Sequence, residues 1–128
     1  MVPSRSNQHG SKSCPERTPL ARRPLLDEQQ TSELESLFKV LGNATRLRLV
    51  HALVKAGEIC VGDLAQQIGI QTQAVSNQLK HLALHGVVVS RREGNNIYYS
   101  VIDNCVITMV ERGLCLLACA ADRGATER

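Results

Sequence analysis

The chain has 128 residues, of which 43% are hydrophobic and 21% charged. That is enough apolar material for one globular domain with a core, and it excludes a wholly disordered chain. Aromatic residues make up 2%, with no tryptophan and Phe38 as the single phenylalanine, so the core has to be aliphatic. The net charge of +3 is unevenly placed: Arg5, Lys12, Arg17, Arg22 and Arg23 against Glu16 give residues 1–26 a charge of +4, and the remainder carries −1. No apolar run is read as long enough to span a membrane, and no charged-then-apolar leader marks the start, so the expected location is the cytoplasm. Five cysteines, an odd number, in a reducing compartment point to ligands or reactive thiols over structural disulfides.

Residues 1–26 hold all four prolines and several serines. They are expected to be a disordered basic tail, either simply solvated or touching DNA phosphates. The domain is expected over 27–121, with 122–128 as a disordered carboxy-terminus. Asp27 suits the N-cap of a first helix, in which Leu34, Leu37, Phe38 and Leu41 fall on one face and Gly42 ends the run. Asn43 caps a second helix with Leu47, Val50, Leu53 and Val54 predicted buried, Arg46 and Arg48 facing out, and Gly57 as the stop.

The most informative stretch runs from Val61 to Tyr99. Val61, Leu64, Ala65 and Ile68 have helical spacing, Gly69 offers a left-handed exit, and Val75, Leu79 and Leu82 define the buried side of a second periodic segment ending at Gly86. Two short helices about a glycine turn make a helix-turn-helix. Val87, Val88 and Val89, then Ile97, Tyr98 and Tyr99, flank a tip spanning Arg91-Arg92-Glu93-Gly94-Asn95-Asn96, which reads as a β-hairpin. The predicted class is therefore mainly α with one β-hairpin, a winged helix-turn-helix. An ordinary helix pair beside a hairpin is the plainer alternative.

The exposed face of the second helix favours DNA. Gln71, Thr72, Gln73, Ser76, Asn77, Lys80 and His81 lie away from the apolar face. Neutral amides and hydroxyls suit base edges in a major groove, and Lys80 suits phosphate. Arg91 and Arg92 at the hairpin are candidates for phosphate contacts. A surface helix kept in bulk water more often carries Glu/Lys pairs.

The last helix is expected from near Asp103 to about Ala121. At 100° per residue, Met109, Leu116, Ala120, Gly113, Val106, Leu117 and Val110 form one continuous apolar arc. Cys105, Thr108, Arg112, Cys115 and Cys119 share a separate strip about 80° wide. Small core cysteines are the ordinary explanation of such residues, but three on one less apolar strip form a candidate ligand set.

Three segments carry a resemblance: GEICVGDLAQQIG, QAVSNQLKHLALHGVV and RREGNNIYYSV, preceded by LFKVLGNATRLRLVHAL. Together, from about Thr31 to Arg112, they resemble the ArsR/SmtB family of metal-responsive bacterial repressors. The resemblance implies a winged-helix homodimer, joined through its first and last helices, that binds an operator with an imperfect inverted repeat. It further implies release when an inducer binds. One metal site of the family lies at the head of the helix-turn-helix and would here use Cys60 and Asp63. The tail of the other subunit would assist, with Cys14, or less favourably His9, in that part. Arsenic and cadmium sensors of the family typically have a second cysteine where this chain has Gly62. Zinc-sensing relatives carry Asp-x-His and His-x-x-Glu on the last helix, where this chain has Asp103, Cys105, Leu116 and Cys119.

That replacement of histidine by cysteine suits thiophilic ions, Cd(II), Pb(II), As(III), Hg(II) or Cu(I), better than the family's histidine-carboxylate Zn(II) chemistry, although Zn(II) stays in the candidate set. Cys115 and Cys119 are i, i+4 and their sulfurs can converge. Cys105 lies about 15 Å along the axis and can complete the site only from an antiparallel partner helix. A rival use of the same thiols is redox or persulfide sensing on the same fold. A thiol enzyme would need a histidine beside a cysteine, and His51, His81 and His85 fit no such motif, so no enzyme is expected. A protein-interaction winged helix that binds no DNA is the remaining alternative.

Overall fold

The computed structural model describes residues 18–127; Cys14 and His9 lie outside them. The described chain falls into two units, one ending at Ile102 and one beginning at Asp103.

The first unit opens on a short 3-10 turn, Leu20–Arg22. The expectation of disorder over 1–26 thus does not hold for this segment. Arg22 and Arg23 N–H groups donate to the carbonyls of Pro19 and Leu20 at 3.0 and 3.1 Å, and the fixed φ of Pro19 favours the bend. No residue in the turn is buried, so it holds by local hydrogen bonding alone.

Helix α1 spans Glu28–Leu41 and α2 spans Ala44–Ala56. Asp27 caps α1 as expected, in a reciprocal box with Gln30: the Gln30 N–H donates to Asp27 Oδ1 at 2.8 Å and the Asp27 N–H to Gln30 Oε1 at 3.1 Å. Asn43 caps α2 by accepting from the Arg46 N–H at 3.0 Å. Within α2, Val50 and Leu53 are buried as expected, but Leu47 and Val54 remain 40% and 36% exposed. The stripe is wider than the core of one chain can cover.

Helices α3 (Val61–Ile68) and α4 (Thr72–Leu84) form the helix-turn-helix. Gly69 leaves α3 with φ 82°, ψ 32°, the left-handed conformation that only glycine adopts at little cost. Leu49, Leu53, Leu64, Val75, Leu79 and Leu82 are fully buried together with Val87, each such side chain contributing about 1.5–3 kcal/mol. The core is therefore aliphatic apart from Tyr99, which is 6% exposed.

The hairpin consists of β2 (Val88–Glu93) and β3 (Asn96–Val101), joined through Gly94-Asn95 with Gly94 at φ 64°. Its tip is thus two residues long, and Arg91, Arg92 and Glu93 belong to a strand. Register runs from Val88 opposite Val101 to Glu93 opposite Asn96. A third strand, β1 (Ile59–Cys60), pairs antiparallel with β3, placing Ile59 opposite Tyr99 and Cys60 opposite Tyr98 in the order β1-β3-β2. Two residues are too few to show a period of two, which is why this strand was not visible in the sequence.

The second unit is one helix, α5, Asn104–Glu127. The helix runs past the expected end near Ala121 to Glu127. Nothing after Ala121 stops a helix: there is no proline, and Gly124 costs only about 1 kcal/mol relative to alanine. Asp103 caps the start, its Oδ1 accepting from the Cys105 N–H at 2.9 Å. The expectation that no apolar run reaches membrane-spanning length is also corrected. Asn104–Gly124 has that length, with a mean hydropathy of 1.5. Leu114, Leu116 and Leu117 are exposed.

Candidate nucleic-acid interface and thiol sites

Helix α4 is held by its buried side, Val75, Leu79 and Leu82, and offers the opposite side to solvent. Gln71, Thr72, Gln73, Asn77 and Lys80 are exposed there, while Ser76 and His81 are half-buried at its margins. Gln73 Nε2 donates to Asn77 Oδ1 at 3.1 Å across one turn, so the two amides are aligned before any ligand arrives. Lys80 forms no ion pair among the described residues, which leaves its ammonium for an outside anion. The His81 ring lies beside that of His85, centroids 4.8 Å apart and planes tilted by 45°. Desolvation, followed by the nearby positive charge of Arg46 and by His85, lowers its pKa, which favours the neutral ring, a donor and an acceptor at once.

Arg46 departs from expectation. It is half-buried, not turned outward, with Nε donating to Gln78 Oε1 at 2.7 Å and Nη1 to the Val40 carbonyl at 3.1 Å. It therefore ties α2 and the end of α1 to α4. Arg48 is exposed as expected.

The two hairpin arginines separate. Adjacent strand residues face opposite sides. Arg91 pairs with Glu58 through two bonds of 2.9 Å each, and with Glu93 at 2.8 Å, and lies 4.9 Å over the Tyr98 ring. Those hydrogen bonds raise the Arg91 pKa further and lower that of Glu58. Arg91 is thus engaged within the protein, as a strap from the segment before β1 to the wing. Arg92, on the other face, has no ion pair among the described residues. Sequence reading alone did not single out Glu58, Gln78 or Arg46. An acid immediately before the Ile59-Cys60 strand was the one available signal, and it becomes meaningful only once that strand is known to join the wing.

Cys60 occupies the N-cap position of α3, half-buried and without a side-chain cap hydrogen bond, and Asp63 lies exposed in the first turn. A carboxylate there also complements the helix dipole, so Asp63 has a structural role without any ligand. A Cβ built at Gly62 would meet nothing within 4 Å. Cys105, Cys115 and Cys119 are all exposed on α5. Because α5 is one unbroken helix, Cys115 and Cys119 face the same way one turn apart, while Cys105 stays about 15 Å along the axis. Among the described residues no three His, Cys, Asp or Glu side chains converge. A pair of thiolates suits a soft ion. Asp103, with one oxygen in the helix cap, stands beside Cys105.

The helix-turn-helix and wing are similar to those of known proteins. The profile described as "Bacterial regulatory protein, arsR family" matches residues 43–90, from the α2 cap into β2. A transcriptional repressor described as an SmtB homolog, from Synechocystis sp., is 35% identical over 120 residues, covering 83% of this chain and 90% of its own. The cadmium resistance regulator CadC of Listeria innocua is 34% identical over 84 residues, covering 66% of this chain and 71% of the relative. Among solved structures, the antimony-specific transcriptional repressor AntR superposes with a TM-score of 0.71 at 46% identity, over 86% of this chain and 99% of that one. The chain belongs to the ArsR/SmtB family of winged helix-turn-helix, DNA-binding transcriptional repressors.

Proposed function

We infer that this repressor works in the cytoplasm as a homodimer on an operator with an imperfect inverted repeat. It releases the operator when a thiophilic metal or metalloid ion binds cysteine thiolates. The observation that carries the inducer class is the exposed pair Cys115 and Cys119, one turn apart on an unbroken α5. Both sulfurs serve one ion, and the partner subunit's Cys105, with Asp103 beside it, completes the set across an antiparallel seam. The names of the relatives, cadmium for CadC and antimony for AntR, are consistent with soft-ion chemistry of this kind. The second candidate set, Cys60 with Asp63 and Cys14 from a partner tail, has only one thiol in its own helix-turn-helix.

The dimer reading rests on apolar surface. Leu34 and Phe38 of α1 and Leu114, Leu116 and Leu117 of α5 are exposed in a single chain, and burial against a second copy removes them from water. A bilayer suits α5 poorly despite its hydropathy, because Glu111 and Arg112 fall near the middle of the run, where a single arginine or aspartate already costs about 2.5–3.5 kcal/mol.

In the DNA complex, Gln73, Ser76, Asn77 and His81 read bases, Gln71 and Thr72 lie at the helix start, and Lys80 and Arg92 meet phosphates. The test is a titration of reduced protein with Cd(II), Pb(II), As(III), Hg(II), Zn(II) and a persulfide donor, following operator affinity by anisotropy. Release by one or more soft ions, at about one equivalent per site, is expected. Release by the persulfide donor alone would establish thiol redox sensing in its place.

A further inference from the structure

The Arg46–Gln78 contact has a consequence for DNA reading. A guanidinium has only donors, so the 2.7 Å bond from Arg46 Nε dictates which end of the Gln78 amide is which: the oxygen faces Arg46. The Gln78 nitrogen has no partner among the described residues. No half-buried side chain in the described chain holds a buried polar atom without a partner, so this nitrogen reaches solvent. Gln78 lies on α4 one residue after Asn77 and one turn before His81, at the shoulder between the buried face and the reading face. Arg46 also acts on His81 through its charge, so one cation conditions two neighbouring positions of that shoulder.

We propose that Gln78 is a further DNA-contacting residue of this repressor, presenting hydrogen-bond donors only, and that Arg46 is its positioning residue. A free glutamine can turn either end of its amide toward a base and thereby match adenine, which offers an acceptor and a donor together. Gln78 as fixed here fits acceptors alone: guanine N7 and O6 together, a single acceptor such as thymine O4 or adenine N7, or a phosphate oxygen. Arg46 in turn is anchored to the Val40 carbonyl at 3.1 Å, so the amide is oriented by the end of α1 as well as by α2. The proposal rests on the DNA-reading role of α4.

The test uses the full-length reduced protein, free of inducer, and a duplex that the unaltered protein selects from a randomised library. Gln78→Met, which has similar size and no donors, should weaken binding about tenfold. Gln78→Glu keeps an acceptor for Arg46, so it should melt no lower than the unaltered protein while binding at least as poorly as the methionine variant. Arg46→Met frees the amide to turn; reselection should then show relaxed preference at one base pair in each half-site, and Arg46→Lys, which retains a donor, should restore it. A uniform loss in both Gln78 variants, reproduced by a methylphosphonate at one linkage, would place the donors on phosphate and still support the proposal. Unchanged affinity in Gln78→Met, or a loss matched by a fall in melting temperature, overturns it. Failure of the unaltered protein to select any duplex overturns the reading role of α4 itself.

Discussion

At the scale of single residues, Arg91 and Arg92 show how two identical neighbours acquire different work. The strand alternation sends them to opposite faces. Arg91 meets Glu58, Glu93 and the Tyr98 ring, while Arg92 keeps its charge for an outside partner. Arg92→Ala should weaken binding to every duplex alike and reduce the salt slope by about one; an altered base preference with an intact slope would contradict that role. Arg91→Ala should leave the direct phosphate count unchanged. It should instead release Glu58, whose pKa Arg91 holds below the ordinary glutamate range, first through the hydrogen bond. A depressed carboxylate stabilises the fold above its unfolded pKa and ceases to as pH falls through the folded value. The strap is therefore complete at neutral pH and lost only in acid. In a carbon-detected NMR titration, the Glu58 carboxyl should titrate below the usual value of about 4.3, and Arg91→Ala should return it there. The sequence made the exposed amides and Lys80 legible, because helical spacing alone separates them from Val75, Leu79 and Leu82. It did not make Arg46 legible. A long cation near a helix start looks solvated until the fold brings Gln78, 32 residues away, within reach.

At the scale of elements, the caps and glycines were readable since each acts locally: Asp27, Asn43 and Gly69 do what their side chains, or the lack of one, dictate. Strand β1 was not readable, because its pairing with Tyr98 and Tyr99 is a long-range property of a two-residue segment. The end of α5 was not readable either, since Ala121 is followed by no stop signal and composition alone does not terminate a helix. The head of α3 offers a direct test of the amino-terminal thiol set. Gly62 has helical backbone and open space around it, so Gly62→Cys should fold normally and place a second thiol beside Cys60. Its expected outcome is tighter Cd(II) binding at this site, read from the thiolate-to-metal absorption band in a Cys105/Cys115/Cys119→Ser background. No new band would mean that the head of α3 cannot gather two sulfurs on one ion.

At the scale of the whole molecule, the proposed function depends on a second copy. A single chain leaves apolar residues on α1 and α5 exposed and gathers no complete ligand set among its described residues; the proposed twofold assembly would supply both. Leu117→Glu should convert the dimer to monomer in light scattering at micromolar concentration, and operator affinity should fall with it, because two half-sites would no longer be held together. A dimer that persists would remove α5 from the seam. Coupling between ion and operator is reciprocal: about 3 kcal/mol loosens DNA roughly 150-fold and favours the ion equally in the DNA-free form. The account places that coupling at the α5 thiols, far along the chain from the reading helix. The measurement that tests it most directly is operator affinity with and without saturating Cd(II) for Cys119→Ser and Cys60→Ser, side by side. The account predicts that Cys119→Ser binds the operator as tightly as the unaltered protein and no longer releases it, while Cys60→Ser still releases. Normal release by Cys119→Ser, with none by Cys60→Ser, would contradict it and place the sensing site at the head of α3.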